Sequence, residues 1–293
     1  MQTPLEELQH LASIAENRRT ETAIPRIAMV QGAVPEHQLS AVYDPMVNLV
    51  LRGRKTMTVG QKTLRYDPAT YFVMSVDLPA VGTVHPDRSG APYLAVSLTL
   101  DTQVVAQLLM DLPPAPIERT AHSGFCVAAV TAELMDAWLR MLRLMRTPND
   151  IAALAPVYER EILYRVLQGP QGALLREIAT PESAMFRVSR AIRRIRRDFH
   201  KEIRVAALAD EASMSPSAFH RQFKAVTALS PLQFQKRLRL LQARGLMVSG
   251  GLGVTAAAYK VGYESTTQFS REYTRTFGLS PYRDVQRIHS QAA

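Results

Sequence analysis

Two sets of side chains in the C-terminal third of the chain are suited to hydrogen-bonding nucleobases. Ser217, His220 and Arg221 form the first, and Thr266, Thr267, Ser270 and Arg271 form the second. Arg221 and Arg271 lie 50 residues apart, each inside a segment of the same design. A guanidinium can donate two hydrogen bonds to one guanine edge, and a hydroxyl bonds either a base edge or a phosphate. Lys224 and Arg275 stand one helical turn beyond these groups and carry charge suited to phosphate. Such a set is suited to recognising duplex DNA and not to making or breaking covalent bonds, so no catalytic residue is expected.

The elements that must position these groups are written twice. SPSAFHRQFKAVTALSP runs from Ser215 to Pro231, and STTQFSREYTRTFGLSP runs from Ser265 to Pro281. Phe219 matches Phe269, Phe223 matches Tyr273, and both copies leave through Leu-Ser-Pro. Two copies are too few for a solenoid and fit a duplicated small module. Val205 to Ala212 predicts a short helix before the first copy, broken at Ser213-Met214, with Ser215 as N-cap and Pro216 at the first helical position. Val254 to Val261 does the same before the second, with Gly262-Tyr263 as the turn. Ser265 and Gln268 have the spacing of a reciprocal capping box. The aromatic pairs at i and i+4 put one stripe on the core and leave the polar set outward. Helix, turn and capped helix with a basic, hydroxylic outer face is the helix-turn-helix pattern. One copy alone would be weak, because a charged face is usually only solvated; two matched copies are not coincidence. Between them, Pro231 to Val248 predicts a helix with Phe234, Leu238 and Leu241 on one face. It would be roughly 25 Å long at about 1.5 Å per residue, enough to hold two recognition helices near one DNA turn apart, about 34 Å.

Charge follows the same division. The net charge of +9 splits into +12 from Met185 onward, with 19 Lys and Arg against 7 Asp and Glu, and −3 before it, with 16 against 19. Arg187, Arg190, Arg193, Arg194, Arg196, Arg197 and Lys201 are interleaved with Ile192, Ile195 and Phe199 at helical spacing. An amphipathic basic helix is expected there, with Arg194 and Arg197 as phosphate contacts.

The second copy with its leading helix, AAAYKVGYESTTQFSREYTRTFGLSP, resembles the DNA-binding domain of the AraC/XylS family of bacterial transcription regulators. The first copy fits through LADEASMSPSAFHRQFK. The resemblance covers about residues 185 to 285 and implies seven helices, two helix-turn-helix units and one long joining helix. It also implies that base reading falls on Ser217, His220 and Arg221, and on Thr266, Thr267, Ser270 and Arg271. One departure stands out: Ala228 occupies the helix exit of the first copy where the family commonly has Gly, as the second has Gly278.

The front of the chain reads differently. Residues 1 to about 22 suggest a short polar helix. From Val42 to Leu100 short runs rich in Val, Leu, Tyr and Thr (MVNLVL, KTMTV, TYFVMSV, YLAVSLTL) alternate with turn residues at Val59-Gly60-Gln61-Lys62, Asp67-Pro68 and His85-Pro86-Asp87. A small sandwich or barrel is expected. LRGRKTMTVGQKTLRYDPATYFVMSVDLPAVG resembles the N-terminal sensor domain of one AraC-type subfamily, a cupin-like barrel. It implies a cradle for a small-molecule effector, with Tyr71, Ser75, Asp77 and His85 as candidate polar groups. Leu134, Trp138, Met141, Leu142 and Met145, then Val157, Ile162, Leu163 and Val166, have helical spacing. The resemblance makes 131 to 168 the dimerisation helices. Gln168 to Glu182, with QGPQG and TPES, suggests the linker.

The expected fold is α+β: an N-terminal cupin-like β-barrel or sandwich with following helices, then an all-α domain of two helix-turn-helix units joined by a long helix. The expected divisions are 1–22 helical segment, 23–130 sensor, 131–180 dimerisation and linker, and 185–287 DNA-binding. The expected partners are double-stranded DNA, a small-molecule effector, a second copy of the chain and RNA polymerase, with no membrane. No cofactor or metal is expected: among His10, His37, His85, His122, His200, His220 and His289 no two lie within ten residues of each other. Cys126 is the one cysteine, which forbids a disulfide within the chain, fits a reducing compartment and reads as a small buried hydrophobe. No signal-type or membrane-length apolar segment occurs, so a cytoplasmic location is expected. A cupin-type enzyme with a basic tail, or a regulator without effector, are the alternative readings.

Overall fold

Alternation between buried and exposed side chains builds the front of the molecule. The computed structural model describes residues 3–32, 38–113, 123–181 and 183–292. They fall into two compact units, Met1–Ser189 with Ala225–Ala228, and Arg190–Lys224 with Leu229–Ala293.

Ten strands of the first unit form two antiparallel sheets. They are β1 (Arg19–Glu21), β2 (Ile27–Gly32), β3 (Gln38–Tyr43), β4 (Met46–Arg52), β5 (Arg54–Val59), β6 (Lys62–Tyr66), β7 (Thr70–Met74), β8 (Leu78–His85), β9 (Tyr93–Thr99) and β10 (Phe125–Ala129). The orders are β1-β2-β9-β4-β7-β10 and β3-β8-β5-β6. In β5, Lys55, Met57 and Val59 are buried while Arg54, Thr56 and Thr58 are half-exposed, the period-two signature of one inward face. Phe72 of β7 stacks on Tyr66 of β6 at 5.3 Å between ring centroids, which marks the space between the sheets. The expected Val59 to Lys62 hairpin is present, with Val59 paired to Lys62 and Gly60 at φ 60°. β4 and β9 are buried along nearly their whole length because α1 (Pro4–Ala12) covers their outer side.

The helices of this unit are α1, α2 (Thr102–Met110), α3 (Ala132–Arg143), α4 (Ile151–Gln168) and α5 (Gly172–Ala179). α1 packs on α3, α3 on α4, and α5 on both α2 and α4. Two expectations are corrected. Residues 1–22 are not simply a polar helix: α1 buries Leu8, Leu11 and Ala12, and the segment goes on to supply β1. The stretch Gln168 to Glu182 is not an open linker, because α5 lies within it and buries Leu174, Leu175 and Ile178. Its turn formers mark the two ends of that helix, and Glu182 itself lies outside the described residues.

The second unit is helical. α6 (Ala184–Arg197) begins in the first unit and runs into it, followed by α7 (Val205–Glu211), α8 (Pro216–Thr227), α9 (Pro231–Val248), α10 (Val254–Lys260), α11 (Thr266–Phe277) and α12 (Pro281–Ala292). These are the seven helices the resemblance implied. Val188, Ala191, Ile192 and Ile195 of α6 are fully buried, so its arginines lie on the other faces. The 18 residues of α9 make a rod of roughly 27 Å. It starts at a true capping box, Ser230 with Gln233, and Pro231 fills the first position.

Candidate nucleic-acid interface

Each recognition helix is fixed by a turn, a cap and an aromatic anchor. The turn before α8 places Ser213 at φ 54°, and the turn before α11 places Gly262 at φ 89°. A Cβ on Gly262 would lie 2.0 Å from the His200 carbonyl oxygen, so only glycine fits that approach. Ser215 Oγ then accepts from Ala218 N, and Ser265 Oγ from Gln268 N, both at 3.3 Å. The reciprocal half of the box expected at Ser265 is missing: Gln268 Nε2 donates to Glu272 Oε1 at 3.3 Å instead. At the far ends Ala228 (φ 58°) and Gly278 (φ 80°) hold the same left-handed conformation. Ala228 thus takes the glycine's geometry without its freedom.

The aromatic pairs are the anchors. Phe219, Phe223, Phe269 and Tyr273 are all fully buried. Phe223 meets Phe234 of α9 edge-on at 5.5 Å. Phe269 and Tyr273 sit in a cluster with Leu240, Ala243 and Met247 of α9 and Ala257, Ala258 and Val261 of α10 and its exit. One connecting helix therefore supplies core to both helix-turn-helix copies.

The opposite faces carry the candidate readers. Ser217, His220, Arg221 and Lys224 are exposed on α8. Thr267, Arg271 and Arg275 are exposed on α11, with Thr266 and Ser270 half-buried beside them. Ser217 Oγ lies 3.4 Å from the cap oxygen of Ser215. Of the candidate phosphate contacts on α6, Arg194 is paired with Glu211 at 2.8 Å and Arg197 with Asp198 at 3.2 Å.

Three polar residues that hold this surface were not singled out from the sequence. Glu272, on the recognition helix itself, accepts from Lys236 Nζ of α9 and from the Tyr263 hydroxyl, both at 2.8 Å. Burial by itself would raise its carboxyl, but the bonds from Lys236, Tyr263 and Gln268 outweigh it and hold the group below its ordinary range. The carboxylate therefore stays ionised, with its charge balanced by Lys236. Arg239 donates to the Phe199, Lys201 and Gly262 carbonyls at 2.7, 2.9 and 2.9 Å. Gln235 donates to Phe199 and Lys201 at 2.9 and 2.6 Å. Both clamp the α6–α7 connection onto α9. A polar residue recurring on one side of a helix otherwise patterned for core was the available signal.

In the first unit the cavity between the sheets has a volume of about 230 Å³. None of Tyr71, Ser75, Asp77 and His85 lines it; Tyr43, Asn48, Lys55 and Tyr93 do. Phe72 faces the inter-sheet space, so its neighbour Tyr71 turns the other way, with its hydroxyl against Gly169. Ser75 Oγ is engaged with the Gly124 carbonyl at 3.0 Å and the Met185 sulfur at 2.8 Å. Asp77 lies between β7 and β8, and His85 closes β8 opposite Arg54. Cys126 bonds Gln171, and burial pushes its thiol up to about 12, away from the reactive thiolate. Among the described residues no group of three His, Cys, Asp or Glu is placed to hold a metal, and no helix is long and apolar enough to cross a membrane. His37 and His122 lie outside the described residues.

A double-sheet unit with a pocket between its sheets, followed by paired helix-turn-helix units on one helix, defines the architecture of a DNA-binding regulator. Residues 23–174 match the family model described as the AraC-type transcriptional regulator N-terminus, and residues 208–287 match a helix-turn-helix domain model. The first match spans more than half of the chain, and the chain belongs to the AraC family of transcriptional regulators.

Among curated proteins it is 32% identical over 158 residues to the HTH-type transcriptional activator RhaS of Salmonella schwarzengrund (strain CVM19633), covering 54% of this chain and 56% of that one. It is 33% identical over 141 residues to RhaS of Escherichia coli (strain K12 / DH10B), covering 47% and 48%. The chain thus spans about half the length of the curated relatives it matches. Among solved structures, ToxT of Vibrio cholerae strain SCE256 with an unsaturated fatty acid bound superposes with a TM-score of 0.56 at 12% identity, over 89% of this chain and 93% of that one. ToxT of Vibrio cholerae O395 gives 0.54 at 11%, over 89% and 97%. At these identities the likeness is one of fold.

Proposed function

We propose that the chain regulates transcription by reading two adjacent major grooves of one duplex, α8 in one and α11 in the next, under control of a small molecule held in the first unit. The observation that carries this reading is the matched pair of recognition helices. Each buries its aromatic pair completely and turns Arg221 or Arg271 to solvent, with Ser217 or Thr267 exposed on the same helix. Ser217, His220, Arg221, Thr266, Thr267, Ser270 and Arg271 read base edges, while Lys224 and Arg275, with Arg194 and Arg197 on α6, meet phosphates. Arg194 and Arg197 each reach phosphate by exchanging an intramolecular carboxylate for it. The chain is a regulator and not an enzyme, acts in the cytoplasm, and touches RNA polymerase at the promoter, in keeping with relatives named as activators.

The cavity between the sheets supports effector control, and ToxT, of the same fold, has been solved with a fatty acid bound. The α3–α4 hairpin, which leaves Val157 exposed, forms the dimer contact. Sedimentation at micromolar concentration, with and without DNA, tests that contact, and a monomer in both states contradicts it. Selection of duplexes from a random library by the full chain tests the central reading. Two fixed sequence blocks about one helical turn apart are expected, and recovery of no preferred sequence contradicts it.

A further inference from the structure

The first unit buries a cation without an anion. Lys55 sits on the inward face of β5, opposite Tyr66 of β6 and Val84 of β8, and is only 6% exposed. Among the described residues it has no carboxylate partner. Its ammonium lies 4.7 Å from the centre of the Tyr43 ring. A cation over an aromatic face is attracted by the ring, but by less than it costs to remove an ammonium from water. The ring therefore does not offset the burial.

Among the described residues three further polar atoms around the same cavity lack partners: the Tyr43 and Tyr93 hydroxyls and Asn48 Oδ1. Asn48 is 7% and Tyr93 0% exposed. Native proteins rarely leave so many buried polar atoms unpaired in one place. The remaining charges on the lining belong elsewhere. Arg18 pairs with Glu16 and Arg19 with Glu21, and Asp44 is exposed to solvent.

We propose that this cavity takes a small monocarboxylate, whose carboxyl group pairs with the Lys55 ammonium and accepts from the Tyr43 and Tyr93 hydroxyls. A single buried ammonium balances one negative charge, which selects a carboxylate over a phosphate dianion. Met29, Val30, Met46 and Val84 line the rest and fit an apolar body. At about 230 Å³ the space is below the ~300–1,000 Å³ of pockets for drug-sized ligands, so the acid is short. Burial pushes the Lys55 ammonium down to about 8, so it remains mostly charged at neutral pH and is ready for an anion.

The inference rests on the effector reading and is tested apart from it. Calorimetric titration of the full chain at pH 7 uses benzoate and its neutral analogues benzamide and benzyl alcohol. Benzoate is expected to bind at least tenfold more tightly than either, and Lys55→Met is expected to abolish that preference. Tyr93→Phe, which removes only a hydroxyl, is expected to weaken benzoate several-fold and serves if Lys55→Met does not fold. Equal binding of acid and neutral analogues, or benzoate binding undiminished in both variants, overturns the carboxylate assignment and leaves effector control standing. Binding of none of the three probes, nor of hexanoate, overturns the assignment together with the effector reading of the cavity.

Discussion

Arg244 of α9 meets Asp284 of α12 edge to edge, Nε 2.8 Å from Oδ2 and Nη2 3.1 Å from Oδ1, with the carboxylate fully buried. The Tyr273 hydroxyl donates to the same carboxylate at 2.9 Å and Arg287 at 2.8 Å. The Arg244 guanidinium also lies over the Phe277 ring at 4.8 Å. One carboxylate thus ties the connecting helix, the second recognition helix and the last helix together. The orientation of Arg271 and Arg275 depends on that knot, because Tyr273 stands on the same helix between them.

Removing that carboxylate is expected to be severe. Asp284→Ala leaves Arg244 buried without its partner and is expected to cost about 3–5 kcal/mol, read by urea denaturation. Burial would raise the Asp284 carboxyl, but its bonds to Arg244, Arg287 and Tyr273 hold it below the usual range. Its contribution is therefore present above the unfolded value of about 4 and is lost as pH falls through the lower folded value. Asp284→Asn is expected to flatten the acid limb of stability below about pH 4.

The two helix-turn-helix copies differ at their left-handed positions. Ser213 and Ala228 in the first copy stand where Gly262 and Gly278 stand in the second copy. A side chain there costs roughly 1–2 kcal/mol, partly offset by the chain freedom glycine adds to the unfolded state. Ala228→Gly is expected to stabilise by about 0.5–1 kcal/mol without altering DNA affinity. Gly262→Ala is expected to lose more than Gly278→Ala, because only the former meets a carbonyl oxygen at 2.0 Å. Thermal melts of the three single variants decide it.

Base and phosphate contacts are expected to separate by mutation. Arg221→Ala and Arg271→Ala should each cost about 1–3 kcal/mol on the selected site and relax its sequence preference. Lys224→Ala should weaken all sequences alike and lower the salt slope by about one. Affinity measured across a salt series on selected and random duplexes distinguishes the two patterns.

Lys55 is expected to leave a pH signature without ligand. Its folded value, about 8, lies below its unfolded value, so the unfolded state holds more protons between them. Stability is therefore expected to rise with pH from about 8 to 10. Tyr43, Tyr66, Tyr93, Asp44, Arg18 and Arg19 are the other titratable or charged groups around this space. The slope assigned to Lys55 is the part that Lys55→Met removes, measured by denaturation at each pH.

The DNA-binding half was legible because its determinants are local. A cap serine, an aromatic pair at i and i+4 and a left-handed exit sit within one segment, and each was written twice. The reciprocal bond at Ser265 was misread because Gln268 had a nearer partner in Glu272, which is itself placed by Lys236 far away in sequence. The cavity was legible only in part. The alternation in KTMTV already puts Lys55 on one face with Met57 and Val59, but nothing local says which face is inward. Tyr43, Asn48, Lys55 and Tyr93 come from four strands of both sheets, and only the pairing register brings them together. Tyr71 was a natural choice from composition, yet period two turns it away from Phe72 and the cavity.

The most direct test is to insert about 5 bp, half a helical turn, between the two blocks of the selected site and measure affinity for the full chain. A rigid α9 fixes both recognition helices, so the insertion is expected to drop binding toward that of random DNA. Affinity unchanged by the insertion would contradict two helices reading successive grooves from one rod.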